Sequence, residues 1–339
     1  MRRGVFIALA ALALAALALA ACDQARSVPP DSANWRAIEV TAAPVELDPD
    51  HPAPTRVGAL VFRGGVELRS RDAAFGGLSG LWVGPDGRLV AVSDAGFWLS
   101  ARLISNAETG APLELRDARV ATFRDERGAE LIEGVDKDAE GLARLADGRF
   151  AVSFEHTHLV RFYDLDGAGV AAPSVTGPRL VGVERLEPNA SLEAIADAGA
   201  GRVLVGAERS DGPRTPLWSA SIASSAPAPR TGELDLPFGY GLVSLDRLPD
   251  GNFIAVQRFY APVVGVRIRI VRITAASVGD GRARVTMLAE LGADFELDNF
   301  ESVAVTPLPD GGARLHLISD NNFSPAQRTL LYVFDLPAS

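Results

Sequence analysis

The stretch Leu297–Asp320, LDNFESVAVTPLPDGGARLHLISD, decides how the chain is read. An acid opens an apolar strand, Asp310-Gly311 turns it, a second apolar strand returns, and Asp320 closes the unit. Apolar runs bounded by an Asp-Gly turn are a hairpin signal. The same pattern occurs at Phe75–Asp94 (FGGLSGLWVGPDGRLVAVSD), Lys137–Glu155 (KDAEGLARLADGRFAVSFE), Ala190–Glu208 (ASLEAIADAGAGRVLVGAE) and Gly239–Arg258 (GYGLVSLDRLPDGNFIAVQR). Where Leu297–Asp320 carries Glu301, these copies carry Ser79, Glu140, Glu193 and Val243. In all four the turn glycine follows at one spacing: Gly87, Gly148, Gly201 and Gly251. The last copy has a slightly longer turn. Five copies in one register are an internal repeat.

Working outward, most copies are followed by a third strand: Leu159–Leu165, Pro216–Ile222, Val266–Ile273 and Thr329–Leu336. Leu113–Phe123 and Arg284–Leu291 supply a fourth. Short strands punctuated by Gly, Pro and Asp, with no long segment of helical period, predict an all-β chain. Four strands in a repeat of roughly 50–60 residues describe a β-propeller blade. Motif counting gives a single propeller of five blades, and a degenerate sixth around Trp35–Arg69 stays open. The final repeat runs out of chain after its third strand. Arg56–Phe62 and Val66–Arg69, read as a hairpin around Gly64-Gly65, are the spare piece that could complete that blade and close the ring. Closure would hide the edges an open array leaves exposed.

Before the repeats, Met1-Arg2-Arg3 and the apolar run Val5–Ala20 resemble a signal peptide, residues 1–21, ending at Leu19-Ala20-Ala21-Cys22. This resembles a bacterial lipobox with Cys22 as the lipidated first residue, the alternatives being an ordinary secretory signal or a membrane span. Cys22 is the only cysteine, so no internal disulfide forms. Residues 22–53, rich in Pro, Ala, Ser and Asp, read as a tether, with residues 54–339 as the propeller. The expected location is the cell envelope, lipid-anchored and facing the periplasm, as a monomer. A net charge of −10 argues against a nucleic-acid partner.

In a blade, the start of the first strand and the end of the second share one rim. That places Glu140, Glu193 and Glu301 at one channel mouth, together with Asp94, Glu155, Glu208 and Asp320. Crowded carboxylates repel and are costly to bury uncompensated. Ca²⁺, which takes 6–8 oxygens in irregular geometry, is the simplest compensating ion. Its expected ligands are Glu140, Glu193, Glu301, Asp94 and Asp320. Arg209 and Arg258 are the other source of positive charge. Two further readings stand beside ligation: hydrogen bonding of the glutamates to the neighbouring blade's backbone, and direct acid–base catalysis.

The motifs GGLSGL (Gly76–Leu81), DAEGLA (Asp138–Ala143), SLEAIA (Ser191–Ala196), DNFESVAV (Asp298–Val305) and SDNNFSPAQRTLLYVFDL (Ser319–Leu336) resemble the phytase-like domain family of exported bacterial proteins. The resemblance covers roughly Val57 to Leu336. It implies a β-propeller, export, and hydrolysis of phosphate or other esters. Val243-Ser244 departs from the Glu pattern and puts a ligand role for that repeat in doubt.

The expected catalytic residues are Glu193, Glu140 and His158, with His156 and His158 read as alternating on one strand face. Glu155, Glu208, Arg258, Asn321 and Asn322 are the expected contacts to a small anionic or ester substrate. Ser79 does not form a G-x-S-x-G elbow and reads as the counterpart of the glutamates. Two functions from different classes remain: a calcium-dependent hydrolase, and an envelope module that binds a ligand without turning it over.

Overall fold

Residues 34–51, 56–131, 134–187, 189–224 and 226–338 are described by a computed structural model. Cys22 and the signal segment lie outside the described residues. Five antiparallel sheets follow one another along the chain. Blade 1 orders Leu78–Val83, Arg88–Ser93, Phe97–Ser105 and Pro112–Thr122 from the axis outward. Blade 2 has Ala139–Arg144, Phe150–Phe154, Leu159–Tyr163 and Val175–Thr176, and blade 3 has Ala194–Gly199, Arg202–Gly206, Arg214–Ser221 and Gly232–Asp235. Blade 4 has Tyr240–Arg247, Phe253–Ala261, Gly265–Ile273 and Val285–Leu291. Blade 5 takes Asn299–Pro307, Ala313–Asp320 and Thr329–Leu336 from the C-terminal end and Leu60–Arg69 from the N-terminal end. This is the five-bladed propeller that the repeat implies.

The turns explain the register. Gly87, Gly148, Gly201, Gly251 and Gly311 all have positive φ, between 68° and 91°, where a Cβ would be strained. In four copies the preceding Asp accepts a hydrogen bond from the N–H two residues on: Asp86 from Arg88, Asp147 from Arg149, Asp250 from Asn252 and Asp310 from Gly312. Side chain and backbone thus specify one turn together.

Five buried apolar clusters fill the five blade-to-blade interfaces. The interface between blades 1 and 2 is aromatic: Trp98 meets Phe123 at 4.6 Å and Tyr163 at 5.2 Å, and Trp82 meets Phe150 at 5.5 Å. Each fully buried large side chain contributes about 1.5–3 kcal/mol. The cluster between blades 5 and 1 holds Val66 and Leu68 from the N-terminal strand with Ile318 from Ala313–Asp320 and Leu331 from Thr329–Leu336. As many interfaces as blades means a closed ring.

Three details of the sequence reading change. Gly64-Gly65 does not turn. Leu60–Arg69 runs through it as one strand paired with Thr329–Leu336, and its register shifts there. The turn falls earlier, at Gly58-Ala59, with Gly58 at φ 58°. Among the described residues there is no sixth blade: Arg36–Ala37 extends blade 1 and Thr41–Val45 extends blade 5. Those strands also bring the start of the folded unit to Trp35 rather than residue 54.

Candidate active site at the acidic mouth

The repeated position owes its direction to a β-bulge. In blade 1 the pairs Leu78↔Ser93 and Gly80↔Val92 leave Ser79 without a partner. Blade 2 skips Glu140, blade 4 skips Val243 and blade 5 skips Glu301 in the same way. In blade 3 the inner strand begins just after Glu193. A bulged residue is turned out of the ladder and can be re-aimed. Glu140, Glu193 and Glu301 are thereby brought within electrostatic reach of one another, as are Glu155 and Glu208. Asp94 and Asp320 both feel Glu301. Carboxylates from blades 1, 2, 3 and 5 therefore share one mouth.

Burial and mutual repulsion hold Asp94, Glu140, Glu155, Glu193, Glu208 and Asp320 above the usual carboxylate range. Burial first, then Glu301, Glu193, Asp138 and Glu155, push Glu140 well up. Burial and Glu208 do the same to Glu193, with Arg258 opposing. Burial lifts Asp94 to about 6, helped by Asp138 and Glu301. It lifts Glu155 to about 7 against a hydrogen bond from Ser191 N. Asp320 rises to about 8, from burial and Glu301, while Asn322 N donates to it. Burial also raises Glu208, opposed by Arg209 and Arg258.

Blade 4 supplies the opposite charge. It carries Val243, buried in the interface with blade 5, where blades 2, 3 and 5 carry an acid, and Arg258 in its second strand, opposite Gly241. Arg258 Nη1 lies 3.0 Å from Glu301 Oε1, and Nη2 lies 3.9 Å from Glu208 Oε1. Burial opposes its charge, but Glu301, Glu193, Glu208 and Glu140 outweigh that and raise it. Glu301 also accepts from Asn299 Nδ2 at 2.8 Å and from Ser79 Oγ at 3.2 Å. Ser79, the counterpart of the glutamates in the repeat, is thus a hydrogen-bond partner of one of them.

Backbone hydrogen bonding between blades does occur, at Glu155 from Ser191 N and, away from the mouth, at two further residues. Ser244 Oγ accepts from Val303 N at 3.0 Å and Asp246 Oδ2 from Val305 N at 2.7 Å. Both are on blade 4. Glu140 and Glu193 respond to burial and charge alone, with no such bond among the described residues.

Glycines make room for the acids. Gly77 sits at φ 60°, and a Cβ there would come within 2.0 Å of Asp94 Oδ1. A Cβ on Gly241 would meet Glu208 Oε1 at 2.5 Å. The GGLSGL and GYGL segments are thus shaped around carboxylates contributed by the same or the neighbouring blade.

The histidines are not on a strand face. The second strand of blade 2 ends at Phe154, and residues 155–158 form a turn with His158 at φ 53°. His158 Nδ1 bonds Ser191 Oγ, and burial lowers its basicity. His156 Nδ1 bonds Asp138 instead. Ligand atoms of Asp138, Glu155 and His156 all lie within 4.8 Å of one another. Sequence reasoning quoted Asp138 inside DAEGLA but missed it as a site residue. Its position just ahead of the bulge was the available signal.

Asn321 caps the loop after Asp320, its Oδ1 accepting from Gly77 N and Phe323 N. Asn322 lines a cavity of about 790 Å³ at the mouth with Glu208, Arg209, Arg258, Asn299 and Glu301. That volume suits a small molecule. The arrangement can bind a cation, exchange protons near neutral pH, and present a guanidinium to an anion.

Among solved structures, the chain is similar to a luciferin-regenerating enzyme at 14% identity, covering 77% of this chain and 93% of that one, with a TM-score of 0.39. It is similar to the PQQ-bound aldose sugar dehydrogenase of Streptomyces coelicolor at 11% identity, over 88% and 99%, with a TM-score of 0.41. It is similar to an α-L-arabinofuranosidase of Podospora anserina, solved with cellotriose, at 10% identity, over 89% and 98%, with a TM-score of 0.49. No curated protein matches the sequence. The family model described as phytase-like, esterase-like activity of phytase, matches residues 73–323. With its five blades and bulge-borne acids, the chain belongs to the phytase-like family.

Proposed function

We propose that the protein is a metal-dependent hydrolase of phosphate or other esters, working at the acidic mouth. The observation that carries this is the convergence of Asp94, Glu140, Glu155, Glu193, Glu301 and Asp320 at one mouth, with the half-buried guanidinium of Arg258 paired to Glu301 among them. The raised carboxyls of Glu140 and Glu193 receive no hydrogen bond from a described residue, so their oxygens are free to ligate. Such an all-oxygen set suits Ca²⁺. Glu140, Glu193, Asp94 and Asp320 would hold it, with Glu301 shared with Arg258. A bound divalent ion would polarise an ester oxygen and acidify a water.

The protein's own residues supply the rest. Arg258 orients Glu301 and meets an anionic substrate. Glu155, which is outside that ligand set and has its carboxyl near 7, can take or return a proton at neutral pH. Glu193 and Glu140 are the central acids of the set, and His158 is held off on Ser191. The nitrogen in the Asp138–Glu155–His156 set favours a second reading of the ion, since imidazole suits Zn²⁺ or a related metal better than Ca²⁺. An envelope location, anchored through Cys22, belongs to the same proposal.

The test is calorimetric titration of EDTA-treated protein with Ca²⁺ and with Zn²⁺. Saturable Ca²⁺ binding that Glu193→Gln and Glu140→Gln weaken supports the all-oxygen site. Zn²⁺ binding lost in His156→Ala transfers the site to the second set, and no binding of either ion sinks the proposal.

A further inference from the structure

Arginines scattered through the sequence meet beside the mouth. A cavity of about 610 Å³ lies on the outer rim of blade 3, between the approach segment 182–190 and the loop 209–214. Arg185, Arg209, Arg214 and Arg230 all line it. Their existing partners do not saturate them. The single carboxylate of Glu233 is shared, 2.8 Å from Arg214 Nη1 and 3.0 Å from Arg230 Nη1. Arg214 Nε also lies 3.9 Å from Asp235 Oδ1, a carboxylate already engaged by Arg282, and the Arg214 and Arg230 guanidiniums stay 48% and 47% exposed. Arg185 is exposed and makes no ion pair with a described residue. Glu187 and Asp211 also line the cavity, with no hydrogen bond to any of the four arginines among the described residues. Leu186 and Pro213 add apolar wall.

Guanidiniums held in place by a shared carboxylate present forked N–H donors matched to a planar or tetrahedral oxyanion. The geometry points to an anion-binding subsite in this cleft, taking a phosphoryl or carboxylate group. Arg209 joins it to the mouth: it lines both cavities and pairs with Glu208 at 2.9 Å. A ligand with its anionic group in the cleft would extend its other end over Glu208 toward the acids. That extension rests on the function proposed above; the anion site itself does not.

The experiment is calorimetric titration of metal-free protein with inorganic phosphate and, separately, with citrate. It is repeated on Arg185→Gln/Arg230→Gln and on Glu193→Gln, with melting curves confirming that each is folded. Saturable binding of either anion, weakened about tenfold in the double arginine variant and unchanged in Glu193→Gln, is the expected result. Phosphate alone identifies a phosphoryl group and citrate alone a carboxylate. Absence of binding, or equal binding by the folded arginine variant, overturns the subsite. Because the readout needs neither metal nor turnover, the subsite and the hydrolase reading fail separately.

Discussion

Arg258 on blade 4 places Nη1 3.0 Å from Glu301 Oε1 on blade 5. The one blade with an apolar residue at the bulge thus supplies the cation that the other blades' acids surround. Removing one partner of a buried pair leaves the other uncompensated and costs about 3–5 kcal/mol. Arg258→Met should therefore lower metal-free stability by roughly 3 kcal/mol. Urea denaturation with and without Ca²⁺ checks this. Ca²⁺ should recover more stability in the variant than in the parent.

The raised acids set a pH dependence. Asp94, Glu155 and Asp320 reach about 6, 7 and 8 in the folded chain. The folded state keeps protons that the unfolded state has already released. Their contribution is then fully present below the ordinary carboxylate range and is lost as pH rises through these values. EDTA-treated protein should melt highest near pH 5 and progressively lower toward pH 8.5. Ca²⁺ should raise the melting temperature more at pH 8 than at pH 5, because ion and protons compete for the same oxygens. A flat profile in EDTA would contradict this.

Gly77→Ala tests the space made for Asp94. The left-handed φ of 60° and the 2.0 Å approach to Asp94 Oδ1 both penalise a Cβ. Backbone strain of this kind costs about 1–3 kcal/mol. The expected outcome is that loss of stability together with weaker Ca²⁺ binding, since Asp94 must move. Gly148→Ala, whose Cβ would face only the far end of Arg144, should lose stability without touching ion affinity.

The ring closure makes a separate prediction. Phe62 on the N-terminal strand contacts Tyr332 at 5.4 Å and Phe334 at 5.2 Å on the C-terminal one. Phe62→Ala should cost about 3–5 kcal/mol by urea denaturation. A chain cut before Leu60 and one cut before Ser70 should differ sharply, the shorter failing to give one cooperative transition because blade 5 loses a strand.

Much of this was legible in the repeat. The Asp-Gly turns fixed register because glycine adopts their positive φ most readily, and the missing last strand announced closure by a piece of Arg56–Arg69. The common mouth followed from strand direction. What the repeat could not show was side-chain placement set by other blades. Gly64-Gly65 looked like a turn because glycine signals both turns and bulges. His156 and His158 looked strand-borne because the end of a strand leaves no mark when polar residues follow it. Asp138 and the cleft arginines come together only through segments distant in sequence.

The most direct measurement is turnover of p-nitrophenyl phosphate and p-nitrophenyl acetate, in calcium and in EDTA, by the parent and Glu193→Gln. The account predicts calcium-dependent release of nitrophenol from at least one ester, abolished by EDTA and by the substitution, with the variant still folded. Release that persists in EDTA, or equal release by folded Glu193→Gln, would contradict a metal-dependent site at the mouth. No release from either ester while Ca²⁺ still raises the melting temperature would leave a metal-stabilised binding module instead of a hydrolase.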